Sequence, residues 1–217
     1  MKTDMKSIYH MYVNQPPDFY ARQYAANKGF RSWWFCKRQQ TITRFVKKYH
    51  SEGPVLDIGC GNCMWAPDGY IAIGVDICHN MLCYNKKHNK YFNAIRADCR
   101  ISLPIRDESV NTVVITELLE HFPSTISLLS EIRRVLKPGG VVIASVPYGL
   151  LPGVWGFIFP LWCLYKGWKD GSQYYKKQCG HVNNFNLKKA HACFNGFTLL
   201  ESDHILYLTL FLVERKS

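Results

Sequence analysis

The chain has 217 residues, of which 47% are hydrophobic and 20% charged, and its formal net charge is +11. This length supplies one good hydrophobic core, so we expect a single domain over residues 1–217, and the composition excludes a disordered chain or a repeat array. The basic excess suits an anionic partner such as RNA or an anionic lipid surface, and it equally suits a solvated basic surface.

The N-terminal stretch 1–15 contains charged residues and no apolar core of a signal peptide. We therefore expect a cytoplasmic protein, and the nine cysteines are expected to be thiols.

An amphipathic helix is predicted early in the chain. Within residues 31–50, apolar side chains recur at helical spacing with lysines and arginines between them. This pattern predicts a helix packed on a sheet, and residues 1–50 as a whole are expected to form a helical cap. The apolar positions are Trp34, Ile42, Phe45, Val46 and Tyr49.

Short apolar runs then alternate with helical segments, which predicts a largely parallel sheet covered on both faces. A helix is predicted over 124–136, ended by the Lys-Pro-Gly-Gly run at 137–140. Another helix is predicted near 187–194. The predicted strands are 55–58, 70–75, 94–97, 111–116, 140–146, about 198–200 and 205–213.

Residues 148–180 interrupt this alternation. The stretch 149–165 has no charged residue, and with Pro152 and Pro160 inside it, it is too short and too broken to cross a membrane. We expect no transmembrane segment. The insertion is interpreted either as a lid packed over the sheet or as an interfacial patch that lies on a membrane surface. Its aromatic residues are Trp155, Phe157, Phe159 and Trp162.

The strongest motif is the strand 55–58 running directly into Gly59-Cys60-Gly61. Glycines let the backbone approach a ligand at the carboxyl edge of the sheet, where doubly wound folds bind nucleotides. Asp76 ends the next strand, where a carboxylate can accept hydrogen bonds from ribose hydroxyls. A dinucleotide site would also need a glycine three positions after Gly61, but Met64 stands there.

Several segments between about residues 30 and 214 resemble the class I S-adenosylmethionine-dependent methyltransferases, in particular methyltransferase type 11. The resemblance implies an α/β, doubly wound, Rossmann-like fold with a seven-stranded, mostly parallel sheet, helices on both faces and a lid insertion after the fifth strand. It also implies S-adenosyl-L-methionine as cofactor and S-adenosyl-L-homocysteine as product. The segments are VLDIGCGN, GVDIC, RADCRISLPIRDESVNTVVITELLEHF, EIRRVLKPGGVVIASVPY and GHVNNFN.

The same resemblance implies a set of cofactor-binding residues at the strand ends. In the family's usual GxGxG turn, a third glycine would stand at Cys63. In chain order the implied residues are Asp57, Gly59, Cys60 and Gly61 for the methionyl half, Asp76 for the ribose, Ile77, Asp98 and Cys99 for the adenine, and Glu117 and Leu118 for the centre of the cleft.

The segment WWFCKRQQ is similar to a HWWFRxRR element found ahead of the cofactor loop in some relatives. This resemblance implies that Arg38 binds the cofactor's carboxylate, which suits guanidinium chemistry. A surface cation on the helix is the alternative.

Two histidines are catalytic candidates. His121 follows the central strand, where the cleft opens and an imidazole can accept a proton from the acceptor. His181 belongs to the segment that borders the substrate pocket in the family. The alternative for each is a histidine that orders a loop.

Four cysteines, Cys60, Cys63, Cys78 and Cys83, have spacings that would suit zinc. The glycine turn and the ribose acid occupy the same positions, so no metal site is expected.

The sequence therefore predicts a methyltransferase acting on a small-molecule or lipid-like acceptor enclosed by residues 148–180, with peripheral membrane contact through 149–165. One alternative is an RNA methyltransferase acting on transfer RNA, which the charge of +11 suits. Another is a non-catalytic S-adenosylmethionine-binding partner or sensor protein.

Overall fold

The computed structural model describes residues 10, 12–25, 28–63, 65–66, 70–89, 92–171 and 173–217. Met64, residues 1–9, 11, 26 and 27 of the expected N-terminal cap, and residue 172 of the expected insertion lie outside these ranges.

Seven strands form the centre of the described molecule. They are β1 Val55–Ile58, β2 Ala72–Asp76, β3 Phe92–Arg96, β4 Val110–Thr116, β5 Leu136–Pro147, β6 Phe197–Ile205 and β7 Thr209–Lys216.

The helices lie between and ahead of these strands. They are α1 Ala21–Ala25, α2 Gly29–Tyr49, α3 His79–His88, α4 Ile126–Val135, α5 Trp155–Lys169, α6 Gln173–Lys176 and α7 Leu187–Cys193, with 3-10 turns at Leu119–His121 and Gln178–Gly180.

The strands form one sheet in the order β3-β2-β1-β4-β5-β7-β6. The pairs from β3 across to β5 are parallel, and β7 is antiparallel to both β5 and β6. The chain adds strands outward in one direction from β1 to β3 and then in the opposite direction from β4. Ligands of doubly wound folds bind at the carboxyl ends of the strands where this order reverses. The predicted α/β doubly wound fold is confirmed.

Alternating side chains of the central strands fill two cores, one on each face. Ile115 packs with Ile132 of α4 and Ala190 of α7, whereas the neighbouring Val114 packs with Phe45 of α2 on the opposite face. This division follows from the two-residue period of a strand. The helices are thereby held against both faces, as the sequence predicts.

The predicted amphipathic helix 31–50 is confirmed as α2. Ile42, Phe45 and Val46 are almost completely buried against the sheet. Burial of each such side chain contributes about 1.5–3 kcal/mol. The helix therefore holds a fixed position, and its N-terminal half is carried to the carboxyl edge of the sheet.

The prediction for residues 124–146 is partly wrong. Helix α4 ends at Val135, and β5 already begins at Leu136, which pairs with Val110. The Lys-Pro-Gly-Gly run at 137–140 does not leave the sheet but forms a bulge, because the register shifts between Val110 and Thr112. Gly139 adopts a φ of +75°, which a glycine takes readily.

The tail strands also differ in their limits from the prediction. Residues predicted as a strand from 205 onward begin with a tight turn, in which Leu206 and Tyr207 have φ values of 48° and 54°. Positive φ at two successive residues matches the twist that a hairpin requires. The turn separates β6 from β7.

The segment 148–180 contains a 15-residue helix, α5, with Pro160 inside it. Proline lacks an N–H, so the carbonyl of Gly156 loses its helical partner. In the described part of the chain, no helix is long and apolar enough to span a membrane.

Truncation of Phe45 tests the packing of α2. The Phe45→Ala variant is expected to lose about 3–5 kcal/mol of unfolding free energy because a fully buried ring leaves a cavity. Equilibrium unfolding in guanidinium chloride measures this loss. Ile126, which is 77% exposed, gives the matched control: Ile126→Ala is expected to change stability by at most about 0.5 kcal/mol. Equal losses in the two variants would contradict the packing described here.

Candidate functional site

A glycine turn follows β1 and forms the floor of a crevice. Gly59 and Gly61 have φ values of 68° and 48°. A Cβ on Gly59 would lie 2.8 Å from Leu118 Cδ1, and one on Gly61 would lie 3.0 Å from the ring of Tyr20. Cys63, where the family's third glycine would stand, also has a positive φ of 45°. The backbone at Cys63 thus has the positive φ that is typical of glycine, although the residue is a cysteine.

Asp76 lies at the end of β2 and fixes this turn. Its Oδ2 accepts a hydrogen bond from the Gly61 N–H at 2.8 Å, and its Oδ1 accepts one from the Cys78 N–H at 2.7 Å. Burial raises the pKa of this carboxyl, and these backbone N–H groups oppose the rise. The acid is therefore held rigidly at the strand end that the sequence predicts.

A smaller chamber of about 130 Å³ opens beside Asp76. The carboxylate of Asp98 is already held by Arg100, whose Nε lies 2.8 Å from Oδ1, and this pair lowers the pKa of Asp98. The predicted cofactor residues that line this chamber are Gly59, Gly61, Asp76, Ile77, Asp98, Cys99, Glu117 and Leu118.

Asp57 and Cys60 are placed differently from the other predicted residues. The Asp57 carboxylate lies behind the turn, where its Oδ2 accepts the Trp65 Nε1–H at 2.7 Å, and burial raises its pKa to about 7. The Cys60 thiol packs into the core beside Gly74. Among the predicted methionyl-binding residues, Gly59, Cys60 and Gly61 line a chamber of the crevice, and Asp57 lines neither chamber.

A larger chamber of about 310 Å³ continues from the smaller one. The two share Gly59, Gly61, Glu117 and His121, so they form one crevice. Eleven phenylalanine, tyrosine and tryptophan residues stand in its walls. These aromatic residues are Tyr12, Tyr20, Phe30, Trp34, Phe35, Trp65, Trp155, Phe159, Trp162, Tyr174 and Tyr175.

Arg38 of α2 points into the larger chamber rather than into solvent. It is 8% exposed, its guanidinium lies 4.9 Å from the Trp34 ring centroid, and its Nη2 lies 3.6 Å from Glu117 Oε1. Its buried Nε has no hydrogen-bond partner among the described residues. The alternative of a surface cation is wrong, and the crevice contains a buried cation able to pair with an anionic ligand.

Both candidate histidines line the larger chamber, next to Glu120. His121 Nε2 and His181 Nε2 each lie 3.8 Å from Glu120 Oε1. His121 Nδ1 donates to the Gly180 carbonyl at 3.2 Å. Burial lowers the pKa of His121 to about 4 and that of His181 well below its ordinary value, so both imidazoles are neutral near pH 7.

Glu120 is the functional candidate that sequence reasoning missed. Its side chain is 0% exposed, and its pKa is raised by burial and by the nearby Glu117. In the sequence, Glu120 cannot be distinguished from the other polar residues that follow β4. The Glu-x-x-Glu-His spacing from Glu117 to His121 is the only local signal, and it does not show that Glu120 is buried.

The four-cysteine zinc alternative is wrong for the described residues. Cys60, Cys63 and Cys78 are buried and Cys83 is exposed on α3. Their sulfur atoms do not form a group with metal-ligand spacing in this part of the chain.

Comparison with known proteins agrees with this geometry. Residues 56–144 match the family described as "Methyltransferase domain". The demethylmenaquinone methyltransferase of Staphylococcus saprophyticus is 32% identical over 43% of this chain and 44% of that protein. The arsenite methyltransferase of Halobacterium salinarum is 33% identical over 42% of this chain and 26% of that protein. The chain therefore spans less than half the length of these curated relatives.

A solved structure from Thermotoga maritima, described as a SAM-dependent methyltransferase and possible histamine N-methyltransferase, superposes with a TM-score of 0.66 at 18% identity. It covers 99% of this chain and 100% of its own. Sheet order, crevice and this likeness define the class I S-adenosylmethionine-dependent methyltransferase fold. Residues 56–144, which match the family model, are similar to the methyltransferase domains of the type 11 family.

The crevice fits S-adenosylmethionine, the cofactor that this family implies. The glycine turn leaves a cradle that a Cβ would fill, and Asp76 stands where a ribose can be held. The buried guanidinium of Arg38, with its unpartnered Nε, suits the methionyl carboxylate. Arg38 lines the larger chamber, Asp76 lines the smaller one, and the glycine turn lines both.

Removal of the Asp76 carboxylate is expected to abolish cofactor binding. In Asp76→Ala, the ribose loses its acceptor and the turn loses the hydrogen bond from Gly61, so affinity should fall at least about 100-fold. Isothermal titration with S-adenosylmethionine measures this change. Asp203→Ala on the exposed surface is the control, and unchanged affinity in Asp76→Ala would overturn the site.

Arg38→Lys tests the carboxylate contact separately. A lysine keeps the charge but loses the planar fork, so S-adenosylmethionine should bind about 10-fold more weakly. 5′-Methylthioadenosine, which lacks the carboxylate, should bind equally to both proteins. A parallel loss for both ligands would show that Arg38 only supports the fold of the crevice.

Proposed function

We propose that this chain is an S-adenosylmethionine-dependent methyltransferase that acts on a small, lipid-like acceptor at a membrane surface. When bound, the cofactor supplies an electrophilic methyl group on a sulfonium. The single observation that carries the acceptor class is that Ile158 and Trp162 of α5 line the larger chamber and are also partly exposed on the apolar outer face of that helix.

The chain's own residues would align the two reactants. Asp76 would hold the ribose, Arg38 the carboxylate, and the aromatic walls of the larger chamber would enclose the acceptor and exclude water. The acceptor atom would then lie beside the neutral imidazoles of His121 and His181, which offer nitrogen lone pairs. Few other catalytic groups are needed, because methyl transfer depends chiefly on alignment.

The outer surface of α5 is strongly apolar. Ile158 and Trp162 line the larger chamber, yet they are 51% and 42% exposed, so the chamber and this face meet. An exposed aromatic and aliphatic patch of this kind is typical of an interaction surface. Further exposed members of the face are Val154, Phe157, Leu161, Leu164, Tyr165 and Trp168.

Basic side chains border the same face. Lys166 and Lys169 lie in the last turn of α5. Lys169 stands 5.6 Å from the Tyr165 ring centroid, whereas Lys166 is ion-paired with Asp170. Lysines beside tryptophans suit an anionic bilayer surface, where apolar rings enter the headgroup region and ammonium groups remain among the phosphates. An acceptor dissolved in the bilayer would then enter the chamber directly.

The names of similar proteins do not select the acceptor. They specify demethylmenaquinone in one case and arsenite in another. The lipid-like class rests on the chamber wall and its mouth, and on nothing in those names.

Binding to vesicles tests the membrane contact. Leu164 and Trp168 are 71% and 82% exposed and line neither chamber. The Leu164→Ser, Trp168→Ser double variant should bind anionic vesicles about 10-fold more weakly, since each side chain gives up apolar contact with lipid. Co-sedimentation with phosphatidylglycerol vesicles measures this. Ile126→Ser, equally exposed on α4, should bind like the parent protein. Equal binding by all three proteins would remove the membrane contact.

A labelled-methyl transfer assay on separated lipids, small metabolites and transfer RNA tests the acceptor class. We expect label in the lipid or small apolar fraction. Salt-sensitive labelling of transfer RNA would instead establish the RNA methyltransferase, because phosphate contacts weaken with salt. Cofactor binding with no labelled fraction would establish a non-catalytic binding protein.

A further inference from the structure

We propose that Glu120, His121 and His181 form a binding site for one divalent transition-metal ion of the zinc type, at the inner end of the larger chamber. The ligand atoms of these three residues all lie within 4.8 Å of one another. Two imidazoles and one carboxylate form a ligand set that holds zinc with a further coordination position open.

The state of Glu120 is the observation that points to a ligand. The side chain is fully buried, and neither carboxylate oxygen has a hydrogen-bond partner among the described residues. A buried carboxylate without a partner is strongly destabilising, so such groups are normally paired or bound to a metal. His121 Nε2 and His181 Nε2 each lie 3.8 Å from Glu120 Oε1, which is beyond hydrogen-bond distance.

The imidazoles are oriented for coordination. His121 Nδ1 donates to the Gly180 carbonyl at 3.2 Å, so the lone pair is on Nε2, which lies 3.8 Å from Glu120 Oε1. The Tyr12 hydroxyl lies 3.3 Å from the same Nε2, but it donates its proton to the Cys179 carbonyl at 2.6 Å, so the lone pair stays available. A backbone carbonyl on the far nitrogen is the usual support of a metal-bound histidine. The ring of Phe159 stacks on His181 with centroids 4.6 Å apart, which fixes the plane of the second imidazole.

The backbone also brings the ligands together. The Glu120 carbonyl accepts the N–H groups of Val182 and Asn183 at 2.8 and 3.1 Å. These bonds join the end of β4 to the segment that carries His181. A contraction of less than an ångström brings the 3.8 Å pairs to the separation found between ligands at about 2.0–2.2 Å from zinc.

The open position would face the larger chamber, which all three residues line. An oxygen atom of the acceptor fits that position, and this assignment of the acceptor atom rests on the proposed function. The metal site itself does not, because its measurement requires neither cofactor nor methyl transfer.

The test is metal binding by the full chain, first stripped with a chelator. Titration with Zn²⁺, and with Co²⁺ followed by its visible absorption, should give one bound ion per chain. Glu120→Gln, which keeps the shape of the side chain, and His181→Asn should each weaken binding at least 10-fold. Zn²⁺ should also raise the melting temperature of the parent protein and not that of the variants.

Two matched controls identify competing sites. His191 pairs with the buried Glu214 at 2.7 Å, and no third ligand joins them among the described residues, so His191→Asn should bind Zn²⁺ like the parent. Cys83 Sγ lies 3.4 Å from His79 Nε2 on the surface, and Cys83→Ser removes that pair. Binding that is lost only in Cys83→Ser, or equal binding by the parent and a folded Glu120→Gln, would overturn the proposal. So would absence of Zn²⁺ binding by the parent protein. S-adenosylmethionine titration of the stripped parent reports separately on the proposed function.

Discussion

The carboxylate of Asp76 joins the two strand ends on which the crevice depends. One oxygen holds the turn after β1 through Gly61, and the other holds the start of the connection to α3 through Cys78. Charge-assisted hydrogen bonds of this length are strong and directional. They fix the floor of the crevice while the remaining lone pairs stay available to a ligand, so the same acid shapes the turn and would hold a ribose.

Residues 17–21, which cover the crevice, are hydrogen-bonded to Asn62 in that same turn. Asn62 Oδ1 accepts the N–H groups of Tyr20 and Ala21 at 2.9 and 3.1 Å, and Asn62 Nδ2 donates to the Pro17 carbonyl at 2.7 Å. Tyr20 thereby lies over Gly61 and lines both chambers. Movement of the covering segment must break these bonds, so opening of the crevice and the conformation of the glycine turn are coupled.

The sequence predicts well what depends on neighbours along the chain. A short apolar run locates β4, and the apolar spacing of α2 locates Phe45 and Val46. The glycine turn and Asp76 are recognisable because each follows directly on a strand. Prediction fails where the backbone conformation depends on pairing with a distant strand. Leu136 belongs to β5 because it pairs with Val110, and the local Lys-Pro-Gly-Gly run does not indicate that partner.

The candidate site was predictable only in part for the same reason. Arg38 reads as a surface cation on a basic helix, and its burial depends on Trp34 and on α5, which lies more than a hundred residues away. The meeting of His121 with His181 depends on the hydrogen bonds that Val182 and Asn183 donate to Glu120. No spacing rule encodes a contact across sixty residues, so the sequence gives two separate candidates and the fold makes them neighbours.

Helix α5 links this cluster physically to the surface of the molecule. Its inner side stacks Phe159 on His181, and Trp155 lies between Phe159 and Trp34 with centroids 4.9 and 5.1 Å away. Its outer side exposes Trp168. A partner that displaced α5 would therefore also disturb the plane of the His181 imidazole. Because stacked rings transmit such a shift only while they remain packed, occupancy of the chamber and attachment of the outer face should influence each other through this one helix.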